Sequence, residues 1–239
     1  MRKYAWLILS MGLFTGLVGC GEDDNGGGGG TAGSGGTGGA GTATVSGIVY
    51  AADDGEGTPL QGATVSVVGG ASTTSGVGGV FSLQAPLGTV MFLTTAPNAW
   101  GELFTADVPA GGENMAEPEV LPDALVAGIA AELSETIDPM KGLVVVEFDS
   151  QVAEGGETAN LTANYEFSLV FDAAGNPARG NALVPGADPI VIFANVDITA
   201  NVAPSATGPN SEPCPLEFPT TAFPSQAKVF TVVDVATCP

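Results

Sequence analysis

Histidine is absent from the 239-residue chain. Histidine is the usual general base of serine and cysteine hydrolases and a common ligand of catalytic zinc. Its absence excludes His-based catalytic triads, Cys–His dyads and HExxH zinc sites. No GxSxG turn and no phosphate-binding P-loop is present either. Paired carboxylates could still hydrolyse a glycosidic bond, but no pair of acids stands out on a shared face. The sequence therefore predicts a non-catalytic protein without a cofactor, and an unrecognised hydrolase is the weaker alternative.

Basic residues are almost as scarce, with five Lys and Arg against 26 Asp and Glu, for a formal net charge of −21. Binding to nucleic acid needs clustered Lys and Arg that contact phosphates. The composition therefore predicts no nucleic-acid partner. An anionic membrane surface would repel this chain as well, so any membrane contact is expected to come through a lipid.

The first 19 residues have the form of a secretory signal. Arg2 and Lys3 precede an apolar run of about 15 residues, which is shorter than the ~20 residues of a membrane-spanning helix. The run ends at Leu17-Val18-Gly19-Cys20, which resembles the lipobox of bacterial lipoproteins. The resemblance implies cleavage after residue 19 and a diacylglycerol thioether, with acyl chains such as palmitate, on Cys20. An ordinary signal peptide with a chance cysteine is the alternative.

A glycine-rich segment follows the predicted lipid anchor. Between Gly26 and Gly41, eleven of the sixteen residues are glycine and none is large and apolar. Such a segment buries too little surface to offset its ordering entropy. Residues 20–42 are therefore predicted to be a disordered tether. Gly21 rather than aspartate follows the lipidated cysteine, which by resemblance to enterobacterial lipoprotein sorting favours the outer membrane, with a periplasmic or surface-exposed domain.

Two cysteines remain in the predicted mature chain, Cys214 and Cys238. An even pair in a secreted protein favours a disulfide. A metal site is the alternative, but two thiols without histidine make a poor zinc site.

Residues 43–112 alternate apolar and polar side chains between short turns, which predicts antiparallel strands in a β-sandwich. Four motifs make this segment resemble a carboxypeptidase regulatory-like domain. They are Val45-x-Gly47-x-Val49, Pro59-Leu60-x-Gly62-Ala63-x-Val65, Gly79-x-Phe81-x-Leu83 and Pro86-x-Gly88. The usual threonine–aspartate–glycine turn before the phenylalanine is replaced by Ser75-Gly76-Val77-Gly78-Gly79. The resemblance implies a transthyretin-like (prealbumin-like) fold and an accessory, non-catalytic role. In it, Gly47 permits close packing and Gly79 begins the hairpin arm that carries Phe81.

The remaining chain is predicted to form a connector and a second β-sandwich. Residues 113–139 include a short helix over 122–133, with Asp123 as N-cap and Leu125, Ile129 and Leu133 on its buried face. Residues 140–239 contain further strand-like runs, the last over 229–235. This second sandwich is either a degenerate copy of the first or an immunoglobulin-like variant, and the predicted disulfide pins its last strand to the proline-rich loop before it.

Two loops carry candidate ligand sites. Asp53, Asp54 and Glu56 gather carboxylates as calcium sites do, although they lack EF-hand spacing. Trp100 follows a Pro-Asn turn signal, and a loop tryptophan either stacks on a sugar or plugs the end of a sandwich. The sequence thus predicts a non-catalytic, lipid-anchored protein of the cell envelope that displays β-sandwich modules to an envelope protein. A carbohydrate-binding surface lipoprotein is the alternative.

Overall fold

The computed structural model describes residues 41–52, 57–111, 116–150 and 153–238. Within these ranges strands dominate and there is one α-helix, α1 (Asp123–Glu132), which confirms the predicted all-β class. The strands in chain order are β1 (Thr42–Ile48), β2 (Tyr50–Ala51), β3 (Thr58–Pro59), β4 (Thr64–Val67), β5 (Ser72–Thr74), β6 (Val80–Pro86), β7 (Gly88–Thr95), β8 (Ala99–Val108), β9 (Glu119–Pro122), β10 (Gly142–Phe148), β11 (Thr158–Leu161), β12 (Phe167–Phe171), β13 (Pro177–Arg179), β14 (Ile190–Val196), β15 (Pro204–Thr207), β16 (Pro213–Cys214) and β17 (Val229–Val235).

The strands form three sheets. The largest has the order β13-β12-β14-β10-β17-β8-β7-β4-β5, with β9, β2 and β3 branching from β8. β1 and β6 form a two-stranded antiparallel sheet, and β11, β15 and β16 form a three-stranded one. The sheets pack in a sandwich-like arrangement around buried apolar side chains.

The last strand joins the two halves of the chain. β17 lies between β10 and β8 and runs parallel to both, so that Phe230 is the register partner of Leu143 on one side and of Glu102 on the other. The N-terminal half (β1–β9) and the C-terminal half (β10–β17), which are linked by the connector that contains α1, therefore share one continuous sheet. The domain boundaries at residues 112 and 139 stay predictions. The two halves are joined by backbone pairing between β8 and β17.

Strands β10, β14 and β17 are buried on both faces, which explains their near-continuous apolar sequences. One face of each strand belongs to a core that reaches into the N-terminal half and α1, with Val145, Ile192 and Val232 as members. The opposite face belongs to a second core, which includes Val146 and Phe193 and is closed by the three-stranded sheet. The predicted last strand, 229–235, is confirmed in full.

Two glycines of the N-terminal half act as their motif implies. A Cβ on Gly47 would lie 1.7 Å from the carbonyl oxygen of Ala116, so only glycine allows that approach. Gly79 has φ +73°, and a Cβ there would lie 2.5 Å from the carbonyl oxygen of Val49. Phe81, two residues later, is buried in the core.

Helix α1 differs in detail from its prediction. Pro122, not Asp123, is the N-cap residue, and it makes no side-chain capping bond. Asp123 is instead the first helical residue and pairs with Lys228. Val126, Ile129 and Ala130 are the buried positions, whereas Leu125 and Leu133 pack only partly against the core. No helix within the described residues is long and apolar enough to cross a membrane.

The predicted disulfide is present. Cys214 in β16 is bonded to Cys238, three residues beyond β17, with the two Cα atoms 4.7 Å apart. The proline-rich segment expected to be a loop thus includes a strand of the three-stranded sheet. The bond fixes the C-terminal end of β17 to that sheet.

Replacing both Cys214 and Cys238 with alanine should lower the free energy of unfolding by about 3–4 kcal/mol, because the unfolded chain regains the freedom of a ~25-residue loop. Equilibrium urea denaturation measures this difference. Reductant should destabilise the wild-type protein and leave the double variant unchanged. Coincident unfolding curves for the two proteins would contradict the prediction.

Candidate functional site

Several predicted site residues lie outside the part of the chain that the structure describes. They are the lipidation residue Cys20 and the calcium candidates Asp53, Asp54 and Glu56. Among the described residues, no group of three or more Asp, Glu or Cys side chains is placed to hold a metal ion. The calcium site therefore stays a prediction.

Trp100 does not lie in a loop, so that prediction is wrong. Asn98, with φ +58°, completes a tight turn, and β8 begins at the next residue. Trp100 is therefore a strand residue, paired with Leu121 of β9 and only 3% exposed. Its ring belongs to the core and presents no open face on which a sugar could stack. Its role as a ligand contact stays a prediction.

An open cleft of about 320 Å³ lies at the junction of the two halves, and Trp100 forms part of its wall. The other apolar walls come from α1 and the segment after it, through Val126, Ala130 and Ile137. Asp123 and Lys228 form part of its polar lining and are joined by an ion pair of 2.9 Å. Trp100, the residue predicted to contact a ligand, therefore lines a concave surface of the protein.

The three basic side chains of the described residues all surround the connector between the halves. Lys228 pairs with Asp123, Arg179 with Glu135, and Lys141 with Asp197. Each pair links residues 123–141 to the C-terminal half. Because these side chains are partly exposed, each pair contributes little stability by itself. Together they place the positive charge of the described residues at the connector.

Asn195 fixes the connector from the interior. It is 3% exposed and has φ +55°, a left-handed conformation that asparagine tolerates better than most residues. Its Oδ1 accepts the N–H of Asp138 at 2.7 Å, and its Nδ2 donates to the carbonyl of Thr136 at 2.9 Å and to Glu166 at 2.7 Å. The sequence offered no periodic signal for this role, because Asn195 is a single polar residue near the end of an otherwise apolar strand.

Four carboxyl groups lie on adjoining strands where the two halves meet, and we call them the acidic seam. They are Glu102 on β8, Glu119 on β9, Glu147 on β10 and Asp234 on β17. Glu147 and Asp234 are register partners on neighbouring strands. Glu102 and Glu119 are 3% and 8% exposed, and Oε2 of Glu102 accepts the N–H of Glu119 at 2.7 Å.

Burial raises the pKa values of three carboxyl groups of the acidic seam. Burial, followed by the charges of Asp234 and Glu119, raises the pKa of Glu147 to about 8. Burial and then Glu217 raise the pKa of Asp234 to about 7. Burial and then Glu119 raise the pKa of Glu102 well above its ordinary value, although the N–H of Glu119 acts in the opposite direction. One sequence signal could have revealed these buried acids. It is an acidic residue inside an otherwise apolar strand, because such a strand is buried on both faces.

The comparisons with known proteins are weak. No family model and no curated protein matches the chain. The shaft pilin SpaA of Lactobacillus rhamnosus GG aligns at 12% identity with a TM-score of 0.26, covering 83% of this chain and 99% of that one. The minor pilin GBS52 of Streptococcus agalactiae aligns at 11% identity with a TM-score of 0.24, covering 82% and 96%.

The Bacillus anthracis TIE protein aligns at 11% identity with a TM-score of 0.23, covering 81% of this chain and 34% of that one. TM-scores this low establish no common fold, and identities this low carry no function. The function is therefore argued from the residues of this chain.

Glu147→Gln should raise the free energy of unfolding at pH 8.5 by on the order of 1–3 kcal/mol and change it little at pH 4. The pKa of Glu147 is raised in the folded state, so the folded protein binds more protons than the unfolded chain between pH ~4.5 and ~8. Stability from this group is therefore complete below pH ~4.5 and is lost as the pH rises through about 8. A glutamine side chain has nearly the same shape as that of glutamate but cannot ionise.

Urea denaturation at both pH values measures this effect, with Glu154→Gln as the control. Glu154 is an exposed glutamate, so its substitution should change the free energy of unfolding by less than about 0.5 kcal/mol. A Glu147→Gln protein that is less stable than wild type at pH 8.5 would contradict the prediction. So would an equal difference at both pH values.

Proposed function

We propose that this protein is a non-catalytic lipoprotein of the cell envelope, anchored through Cys20 in the outer membrane. The sequence Leu17-Val18-Gly19-Cys20 after a short basic and apolar leader carries the proposal. A lipid with several acyl chains holds a protein on a bilayer almost permanently, since each buried methylene contributes about 0.8 kcal/mol. The folded domain begins within a few residues of the glycine-rich segment, at β1. Its role is to hold a binding or scaffolding surface at a distance from the membrane.

The proposed N-terminal module is a carboxypeptidase regulatory-like domain. Its motifs fall on β1, on the turn between β3 and β4, and on β6 with the turn that follows it. Gly47 lies at a close backbone approach that excludes a side chain, and Gly79 comes directly before β6, the strand that carries Phe81; both positions support the resemblance. Such a domain would present its exposed strands and turns to a partner and contribute no reacting group.

We expect the exposed surface of the N-terminal module to bind another protein of the cell envelope. Val77, in the turn before β6, and Val80, the first residue of β6, are 83% and 54% exposed. Deleting the N-terminal half would break the sheet that it shares with β17, so surface substitutions are the cleaner test. Crosslinking in living cells should recover one envelope protein with the wild-type chain and less of it with Val77→Asp. Unchanged recovery would remove this turn from the proposed contact.

Glycan binding is the second candidate, and the cleft beside Trp100 favours it. Its polar lining, Asp123 and Lys228, offers an acceptor and a donor for sugar hydroxyls. Trp100→Ala is a poor probe, because truncating a buried tryptophan costs about 3–5 kcal/mol.

Lys228→Met is the sharper probe of the cleft, since it keeps the long side chain and removes the charge. Retention of the wild-type protein on a polysaccharide column, lost in Lys228→Met, would support glycan binding in the cleft. Lys141→Met is the matched control, because Lys141 is also ion-paired but does not line the cleft. Equal retention of both variants and the wild-type protein would contradict a site in the cleft.

Cys20→Ala should abolish incorporation of labelled palmitate and release the protein from the membrane fraction, because the acyl chains have no other attachment. Metabolic labelling followed by fractionation measures both effects. Gly21→Asp is the control, since it keeps the lipid and should move the protein toward the inner membrane. Membrane retention of an unlabelled Cys20→Ala protein would contradict the proposal.

A further inference from the structure

Strand β6 has one edge that no strand covers. β6 pairs with β1 on one side, and within the described residues no strand pairs with its other side. It has seven residues, whereas β5 and β13, the outer strands of the large sheet, have three each. An uncovered strand of this length presents a row of backbone donors and acceptors to any other chain.

The hydrogen bonds at the two ends of the β1–β6 pair show which backbone groups of β6 point to the uncovered edge. At one end, Leu87 donates its N–H to the carbonyl of Gly41 at 2.9 Å. At the other end, Val49 donates its N–H to the carbonyl of Gly79 at 2.9 Å. Alternate residues of an antiparallel strand bond to the same neighbour, so the odd-numbered residues of β6 bond to β1. Residues 80, 82, 84 and 86 therefore direct their backbone groups to the uncovered edge.

This edge offers as many donors as acceptors. Its N–H groups belong to Val80, Ser82 and Gln84, because Pro86 has no N–H. Its remaining carbonyl groups belong to Ser82, Gln84 and Pro86, because the carbonyl of Val80 already accepts the N–H of Gly76 at 2.8 Å. The edge thus lacks a carbonyl at its start and an N–H at its end.

The two missing groups would face each other if β6 paired with a second β6. In an antiparallel pair centred on Leu83, Val80 lies opposite Pro86, and Ser82 lies opposite Gln84. Val80 then donates its N–H to the carbonyl of Pro86, while Ser82 and Gln84 exchange both of their bonds. Every donor and every acceptor of the edge finds a partner across a twofold axis.

The exposed side chains of β6 also match those of a second copy. The same register sets the apolar Val80 beside Pro86 and the polar Ser82 beside Gln84, and all four residues are exposed. Leu87, which is 38% exposed, follows β6 and lies beside the turn that precedes β6 in the second copy. Apolar contacts therefore extend the pairing at both ends.

Charge is the main obstacle to self-association of a chain whose formal net charge is −21. Residues 57–101, which include β3 to β7, contain no Asp, Glu, Lys or Arg, and neither does β1. Charged side chains commonly protect an edge strand of a natural protein from pairing with another chain. Because β6 lacks this protection, two copies can meet here without bringing like charges into direct contact.

We propose that the uncovered edge of β6 binds the same edge of a second copy, forming an antiparallel, twofold-symmetric dimer. The two β1–β6 pairs would then form one four-stranded sheet, as in other cases of strand addition. This proposal deepens the proposed function and rests on it in one respect, because it names a second copy as a protein that the N-terminal module binds. The pairing uses backbone groups of the folded domain and does not require the lipid.

Disulfide trapping in membranes tests the register of the pair. Full-length chains with Ser82→Cys and differently tagged full-length chains with Gln84→Cys are produced in the same cells. Cα atoms of opposed residues lie about 5.5 Å apart, within the range of a disulfide. Two copies of one variant place their cysteines diagonally, roughly 7–8 Å apart, which is too far to bridge. We expect about tenfold more mixed-tag than same-tag cross-linked dimer.

Thr44→Cys provides the matched control for random collision. Thr44 is also exposed and lies opposite Gln84, but on β1, one strand further from the edge. Its combination with Ser82→Cys should therefore give only the same-tag background. Equal amounts of mixed-tag and same-tag dimer for Ser82→Cys with Gln84→Cys, or no dimer of either kind, would overturn the proposal.

Amide hydrogen exchange of the wild-type full-length protein keeps the proposal testable if the cysteine variants fail to fold. Amides of residues 82 and 84 should exchange about tenfold more slowly in the dimer than in the dilute monomer, whereas those of 81, 83 and 85 should not change. Protection of 82 and 84 in a sample that sediments as a monomer would mean that the same chain covers the edge, and would overturn the dimer. The envelope partner of the proposed function would still stand, because recovery of a different protein from living cells tests it.

Discussion

The parallel pairing of β17 with both β10 and β8 organises the molecule. Because β17 lies in the middle of the large sheet, the two halves share a continuous sheet and a core only through it. Parallel strands need both faces covered. Here α1 and the N-terminal half contribute to the core on one face, and the three-stranded sheet closes the other. The disulfide at the end of β17 anchors the element on which this arrangement depends.

That arrangement has an electrostatic consequence. A strand buried on both faces has no solvated side for its acids, so Glu147 and Asp234 are forced into a poorly solvated junction with Glu102. The bases that could neutralise them lie at the connector instead, where they hold residues 123–141 against the C-terminal half. The apolar side chains of this sheet therefore stabilise the fold, whereas its ionised carboxylates destabilise it. The stability of the protein accordingly depends on pH.

Much of the local structure could be predicted from periodicity. Val229–Val235 is a strand with the predicted bounds, because an apolar run of that length is typical of a buried strand. The helix was found, but its cap was not, since Pro122 leads into it. Its buried face was found in part, because Ile129 is buried as predicted and packing also selects Val126 and Ala130. Trp100 was misplaced because a turn signal was taken as a loop, whereas β8 starts directly after Asn98.

The sequence by itself determined the strand-rich class, the cysteine pair, the absence of histidine chemistry and the glycines that close backbone approaches require. Each of these depends on residue type and local spacing. Only the tertiary structure decided the place of β17, the burial of Trp100, the position of Glu147 opposite Asp234, and the hydrogen bonds of Asn195. They depend on which distant strands become neighbours, and a parallel pairing across more than a hundred residues leaves no periodic trace in the chain.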